Sequence, residues 1–321
     1  MGTQPLKFGL VGAGPWGRVI IKTLSKFDDI ELVLLASSNS ESAKLVSSRC
    51  TISKNWKTVA GADAIDGVII ATPPHTHAEI ARFAVASHNP VLVEKPLTPT
   101  IEEAKSLLDF SAAQDAIVHI NHTHLGHPAY RELKKKTFSD GPIRSITSIA
   151  GDHGPFREDV SVLWDRGSHE IALCIDLLGE TPKSIKIPRY DILPSENGNF
   201  ETIDLKLIFS NNITADITLS NHFEAKTRIF SVSLINETLK YDGTGAHALT
   251  KETFLYNKNT AEVHHNIIEI PNIFPLDQIL SDFALAIRTN DTSLSHLKLG
   301  VSVIEVLTKC TALSKEIQNV K

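Results

Sequence analysis

Cysteine is scarce in this chain of 321 residues: Cys50, Cys174 and Cys310 stand far apart, with no C-x-x-C spacing. Neither a disulfide framework nor a thiolate metal site is suggested, and a reducing cytoplasm is the expected location. Long runs of one charge are missing too. The 37 acidic and 32 basic side chains leave a formal net charge of −5, so neither nucleic acid nor a membrane surface is an expected partner. No apolar stretch reaches the length of a membrane span, and the N-terminus lacks a charged segment leading into an apolar core and cleavage site. Internal repeats and low-complexity tracts are absent as well. What remains is ordinary for a soluble globular protein, with 42% hydrophobic and 21% charged residues and length enough for about two domains.

The first positive signal lies at the N-terminus. An apolar run, Phe8 to Val11, ends in Gly12-Ala13-Gly14-Pro15-Trp16-Gly17, after which Arg18 to Leu24 reads as a helix. The expected order is strand, tight turn, helix. Gly12 permits the turn, Gly14 lets the backbone approach a pyrophosphate, and Gly17 lets helix and strand pack closely. The helix N-terminus would offer free N–H groups and the positive end of its dipole to the phosphates. The reading is a dinucleotide site, although a plain βα turn would use the same glycines.

Further apolar runs at Ile30–Ala36, Asp66–Ala71, Pro90–Val93 and Ala116–Ile120 alternate with helical segments. They imply a doubly wound parallel sheet over residues 1–121, with ligands at the carboxyl ends of its strands. Ala71-Thr72-Pro73-Pro74, His77, Glu94-Lys95 and Asn121 fall at or just beyond those ends and join the glycine turn as expected cofactor contacts. After the second strand an NAD-binding protein usually carries an acidic residue for the ribose 2′-hydroxyl. Ser37-Ser38-Asn39 stand there instead, and Lys44 is the nearest cation. With no carboxylate to repel a 2′-phosphate, NADP is expected ahead of NAD. The serines would equally cap a helix from Glu41 to Arg49.

Residues 122–321 read as a second, α+β domain. Helix is expected over Pro128–Lys136 and Val162–Leu178, and strands at 143–150, 184–187, 202–209, 214–220, 229–235 and 264–270. Helices over Asp277–Arg288 and His296–Ser314 close the chain. Asp165 and His169, four apart, would share one helix face. An imidazole titrating near neutrality can take a hydroxyl proton while hydride departs, and Asp165 can orient it or anchor a hydroxyl. Gly167 would leave room for a ring. A surface ion pair or an N-cap would explain the same two side chains.

On the glycine turn, on Ala71-Thr72-Pro73-Pro74 with His77, on Glu94-Lys95-Pro96 and on Asp165-Arg166-Gly167-Ser168-His169, the chain resembles the Gfo/Idh/MocA family over essentially its whole length. The resemblance implies a pyridine-nucleotide oxidoreductase acting on a sugar, a sugar derivative (a nucleotide-linked one included) or a cyclitol. It implies an N-terminal Rossmann sheet, then a domain with a large, mainly antiparallel open sheet through which a homodimer or homotetramer forms. It also implies that Lys95 bonds the reacting hydroxyl and steadies the nicotinamide, so that Lys95, Asp165 and His169 are the expected catalytic set. Where many members carry arginine or tyrosine after the fifth strand, this chain has His122, His124 and His127. His124 and His153 are expected either to bond substrate hydroxyls or to share a metal, and no acidic residue or cysteine completes a metal set nearby. Arg157 would clamp a carboxylate or phosphate, or form a surface salt bridge. Two other functions suit the same cofactor fold: a regulator or sensor that turns nothing over, and a lyase or hydrolase assisted by tightly bound NAD. The intact catalytic set argues against the sensor.

Overall fold

The computed structural model describes residues 4–154, 156, 160–195, 198–257 and 260–320, so Arg157 lies outside the described residues. In the first half, strands β1 (Leu6–Val11), β2 (Ile30–Ala36), β3 (Thr51–Ser53), β4 (Gly67–Ile70), β5 (Val91–Glu94) and β6 (Val118–Asn121) build one sheet. Its order is β3-β2-β1-β4-β5-β6, with every pair parallel. That is the dinucleotide-binding order, with the switch between β1 and β4. Every residue of β4, β5 and β6 is buried, which is why these strands read as unbroken apolar runs rather than as alternation. Helices α1 (Pro15–Leu24), α2 (Lys57–Ala60), α3 (His77–Ala86) and α4 (Ile101–Ala112) make the crossovers. Thr100 caps α4 by accepting the Glu103 N–H at 3.3 Å, and Pro15 opens α1 where its missing N–H costs nothing.

The next elements are α5 (Pro128–Asp140), β7 (Ser145–His153), α6 (Val162–Asp165), α7 (Gly167–Leu178), β8 (Ser184–Ser195), β9 (Gly198–Ile208) and β10 (Thr214–Ser220). They are followed by β11 (His222–Ser233), β12 (Glu237–Asp242), β13 (Leu249–Asn257) and β14 (Thr260–Ile267). The eight strands form a second sheet, β14-β13-β12-β11-β7-β10-β9-β8, antiparallel except for the β7–β10 pair. The expected strand at 264–270 is the end of β14, which stops at Ile267; β12 and β13 were not expected. Alternation sorts the sheet's faces. Ile203, Leu205, Leu207, Ile217 and Leu219 are buried on the face where α6 and α7 pack. Thr202, Asp204, Lys206, Asp216 and Thr218 point the other way, with Lys206 Nζ 3.0 Å from Asp216 Oδ1 and Thr218 Oγ1 donating to Asp204 Oδ1 at 2.8 Å. Gly179, at φ 70°, ends α7 in the left-handed conformation.

Two last helices, α8 (Pro275–Thr289) and α9 (Ser295–Val320), complete the chain. Here the expected division at residue 121 gives way to a discontinuous one. One compact unit is Met1–Gly126 with Phe274–Ile304, and the other is His127–Ile273 with Glu305–Lys321. Packing explains the return. Phe8 and Leu10 of β1 share a core with Ile20 and Leu24 of α1 and with Leu276, Ile279, Leu280 and Phe283 of α8. The Phe8 and Phe283 rings lie 5.5 Å apart. Gly9, between Phe8 and Leu10, faces Val59 of α2 on the opposite side. The crossover helices thus leave part of one apolar face bare, and α8 covers it; burying one side chain of Phe283's size is worth roughly 1.5–3 kcal/mol. Among the described residues no helix is long and apolar enough to cross a membrane.

Candidate nucleotide cleft and catalytic groups

The turn after β1 depends on its glycines. Gly12 has φ +102°, and a Cβ there would stand 2.6 Å from the Ala71 carbonyl oxygen; one on Gly17 would stand 2.2 Å from the Gly12 carbonyl oxygen. Gly14 differs. Beyond its two chain neighbours, no heavy atom lies within 4 Å of the place its Cβ would take, so its backbone faces open space at the start of α1. That space belongs to a cleft of about 860 Å³, lined by Gly12, Ala13, Gly14 and Pro15, by Ser37, Ser38 and Asn39 after β2, and by Thr72 and Pro73 after β4. These are expected contacts, and the structure brings them together. An exposed backbone at a helix N-terminus, in a cleft of this size at the carboxyl ends of parallel strands, fits a dinucleotide.

The cleft's cations are not the one nearest in sequence. Lys44 pairs with Glu41 on an exposed stretch, whereas Arg18 and Lys54 line the cleft, together with Trp56. Sequence reasoning missed Lys54 and Trp56 because they follow β3, a strand of three residues that is too short for a pattern. The expected serine cap gives way to an asparagine. Asn39 Oδ1 accepts the Glu41 N–H at 2.9 Å and caps a short 3₁₀ turn, Ser40–Leu45, not an α-helix to Arg49. Ser37 Oγ lies 2.7 Å from Ser42 Oγ and accepts the Asn39 N–H at 3.2 Å.

Other expected contacts sit behind the cleft wall. His77 is fully enclosed, with Nε2 2.8 Å from the Thr72 carbonyl oxygen and Nδ1 3.0 Å from that of Pro96 and 3.2 Å from that of Leu97. Burial lowers its pKa, against the pull of those carbonyls, so the ring ties the Thr72 turn to the segment after Lys95. A Cβ on Gly17 would stand 3.8 Å from that of Ala71, just past β4, and Pro74 begins a 3₁₀ turn. Trp16, on α1, donates its indole N–H to Glu94 at the end of β5, and Asn121 donates Nδ2 to the same carboxyl at 2.6 Å. Burial pushes Glu94 up to about 7 against those hydrogen bonds. Lys95 follows, half-buried. Burial pushes His122, just past β6, down to about 3, with His296 and Lys95 adding to the effect. His124 is half-buried in the helical turn Thr123–Gly126.

In the second unit, Asp165 is the last residue of α6 and His169 lies in the first turn of α7. The two stand on successive helices with Arg166 as the one residue between them, its backbone still in the right-handed helical region at φ −94° and ψ −40°. The His169 N–H bonds the Arg166 carbonyl at 3.1 Å. Gly167 is buried, and its Cβ would meet Leu219 at 3.0 Å and Leu163 at 3.3 Å. It serves helix-on-sheet packing rather than room for a ligand ring. Glu170, fully enclosed, accepts the Ser148 hydroxyl at 2.7 Å and the Arg228 guanidinium. Arg166 Nη2 donates to the carbonyl of Gly154, the residue just past β7, at 2.8 Å. His153, exposed at the end of β7, has its ring 5.7 Å from Phe156 and 5.8 Å from Phe200. Glu170 and Arg228 escaped the sequence reading, since a lone Glu in an apolar helix carries no partner in the sequence.

Residues 6–122 match the model of the oxidoreductase family with an NAD-binding Rossmann fold, Gfo/Idh/MocA. A solved structure from Magnetospirillum magnetotacticum MS-1, named only as an oxidoreductase, is 36% identical with a TM-score of 0.86, over 95% of this chain and 99% of its own. The UDP-N-acetylglucosamine 3-dehydrogenase of Acidithiobacillus ferrooxidans is 26% identical over 184 residues, 56% of this chain and 57% of that protein. The scyllo-inositol 2-dehydrogenase (NADP(+)) IolW of Bacillus subtilis is 24% identical over 212 residues, 62% of this chain and 58% of that protein. The matched stretch thus spans less than two thirds of either curated relative. Glycine turn, strand order, cleft and full-length likeness agree, and the chain belongs to the Gfo/Idh/MocA family of NAD-binding oxidoreductases.

Proposed function

We propose that this protein is a dehydrogenase that moves hydride between a nicotinamide cofactor and a CH–OH carbon of a sugar, a sugar derivative or a cyclitol, with NADP(H) preferred. The observation that carries the reading is the cleft at Gly14, where bare backbone and a helix N-terminus face a space of about 860 Å³. The similarity to a UDP-N-acetylglucosamine dehydrogenase and an NADP(+)-dependent inositol dehydrogenase supports the substrate class. The cofactor, when bound, supplies the hydride acceptor or donor. Gly12 to Pro15 would hold its phosphates, and Ser38, Asn39 and Lys54 the adenosine end. Lys95 bonds the reacting hydroxyl oxygen and steadies negative charge on it. His169 takes the hydroxyl proton in oxidation and returns it in reduction, the work of a general base and acid. Asp165 orients that imidazole or anchors a neighbouring hydroxyl. We also propose a homodimer or homotetramer through the polar face of the second sheet, where Thr202, Asp204, Lys206 and Asp216 stand. The test is titration with NADH and NADPH followed by absorbance at the reduced-nicotinamide band with a panel of sugars and cyclitols. Cofactor binding without reduction by any panel member would favour the sensor or the redox-assisted lyase.

A further inference from the structure

Glu94 stands where three elements meet. Its Oε1 receives two donors at once, the indole N–H of Trp16 from α1 and Nδ2 of Asn121 from β6, the latter at 2.6 Å. The Lys95 backbone N–H donates to the same carboxyl. Asn121 is fixed in turn, because its Oδ1 accepts the Thr123 hydroxyl at 3.0 Å. Glu94 itself is enclosed, at 7% exposure, while Trp16 is 41% exposed, so one end of the clasp is buried and the other reaches solvent.

We propose that Glu94 is a titrating positioning residue: as a carboxylate it clasps Trp16, Asn121 and the Lys95 backbone together, and on protonation that clasp loosens. The physical basis is charge assistance. Hydrogen bonds to an ionised carboxylate are roughly twice as strong as neutral ones, so a proton on Glu94 weakens all three bonds together. It also removes the negative charge beside the Lys95 ammonium. Among the titratable groups on neighbouring elements, burial lowers the pKa of His77 on α3 and that of His122 after β6. Lys95 is therefore the charge acting on Glu94. Burial lifts the carboxyl to about 7 in spite of its three donors, which brings the change into the neutral range. The consequence for turnover rests on the role proposed for Lys95; the clasp does not.

The experiment is tryptophan emission of the cofactor-free protein from pH 5 to 9, with the spectrum of Trp16→Phe subtracted to isolate Trp16. One transition with a midpoint near 7 is expected, and it should be missing in Glu94→Gln, which keeps an acceptor oxygen but cannot titrate. Asn121→Ala, which removes a donor that stabilises the carboxylate, should raise the midpoint, by about half a pH unit or more. A Trp16 signal that ignores pH, the same transition persisting in Glu94→Gln, or an unmoved midpoint in Asn121→Ala would each overturn the proposal. None of these readouts depends on turnover, so the clasp and the dehydrogenase reading fail separately.

Discussion

Glu170, the residue after His169, is wholly enclosed and takes the Ser148 hydroxyl at 2.7 Å while it pairs with the Arg228 guanidinium, itself only 11% exposed. Removing one partner of such a pair leaves a buried charge uncompensated. Glu170→Ala is therefore expected to lower the unfolding free energy by about 3 kcal/mol or more. Chemical denaturation of wild type and variant checks it, and a loss under about 1 kcal/mol, the scale of an exposed pair, would mean that water reaches Arg228.

Cofactor choice should follow Lys54 rather than Lys44, because only Lys54 lines the cleft with Ser37, Ser38 and Asn39. Lys54→Ala is expected to weaken NADPH by about tenfold or more and to leave NADH nearly unchanged, since a charge-assisted contact to phosphate is worth about 1.5–3 kcal/mol. Lys44→Ala should change neither. Ser37→Asp should turn the preference towards NAD, as a carboxylate bonds the ribose hydroxyls but repels a phosphate. Fluorescence titration of both cofactors decides it, and a strong NADH preference in the unmodified protein would contradict the account.

Acid should destabilise the protein through its buried imidazoles. His119 and His122 are both pushed down to about 3, chiefly by burial, whereas in the unfolded chain each titrates near 6.5. Below 6.5 the unfolded state binds more protons, so stability is fully present above that pH and is lost as pH falls towards 3. The loss is about 1.4 kcal/mol per pH unit for each ring. Glu94 works the other way, since the folded state keeps its proton below about 7, and offsets one ring's share. His119→Phe should keep the ring contacts with Phe283 and His296 and flatten the slope. Denaturation midpoints at pH 7 and pH 5 measure it, and an equal slope in both proteins would refute the assignment.

How legible this was in the sequence depended on how local each feature is. The glycine turn, four of the strands that follow it and the cleft residues after β2 and β4 could be read because short-range rules create them. The antiparallel strands from Thr202 to Ser220 showed themselves by alternation. Three things could not be read. The return of α8 to the first sheet is set by an apolar face left bare some 270 residues earlier in the chain. The close packing of Gly167 depends on Leu163 and Leu219, partners that helix periodicity does not reveal. His77 resembled a cofactor contact by position, yet its ring is spent on three backbone carbonyls, a role visible only once the Pro96–Leu97 segment is in place.

The second sheet's polar face offers a test of assembly. Lys206 and Asp216 pair across it at 3.0 Å, and Lys206→Glu would set two like charges opposite each other. Light scattering of wild type should give a dimer or tetramer, and the variant should shift towards monomer. A monomeric wild type at micromolar concentration would count against this interface.

The central claim is that His169 exchanges the hydroxyl proton during hydride transfer. The most direct measurement is the pH dependence of reduced-nicotinamide formation by wild type and His169→Asn, on the best substrate of the sugar and cyclitol panel. The account predicts a fall in turnover of about a hundredfold or more, near-normal cofactor affinity, and loss of the pH limb in the histidine range. Near-normal turnover with that limb intact would place the base elsewhere and contradict the account.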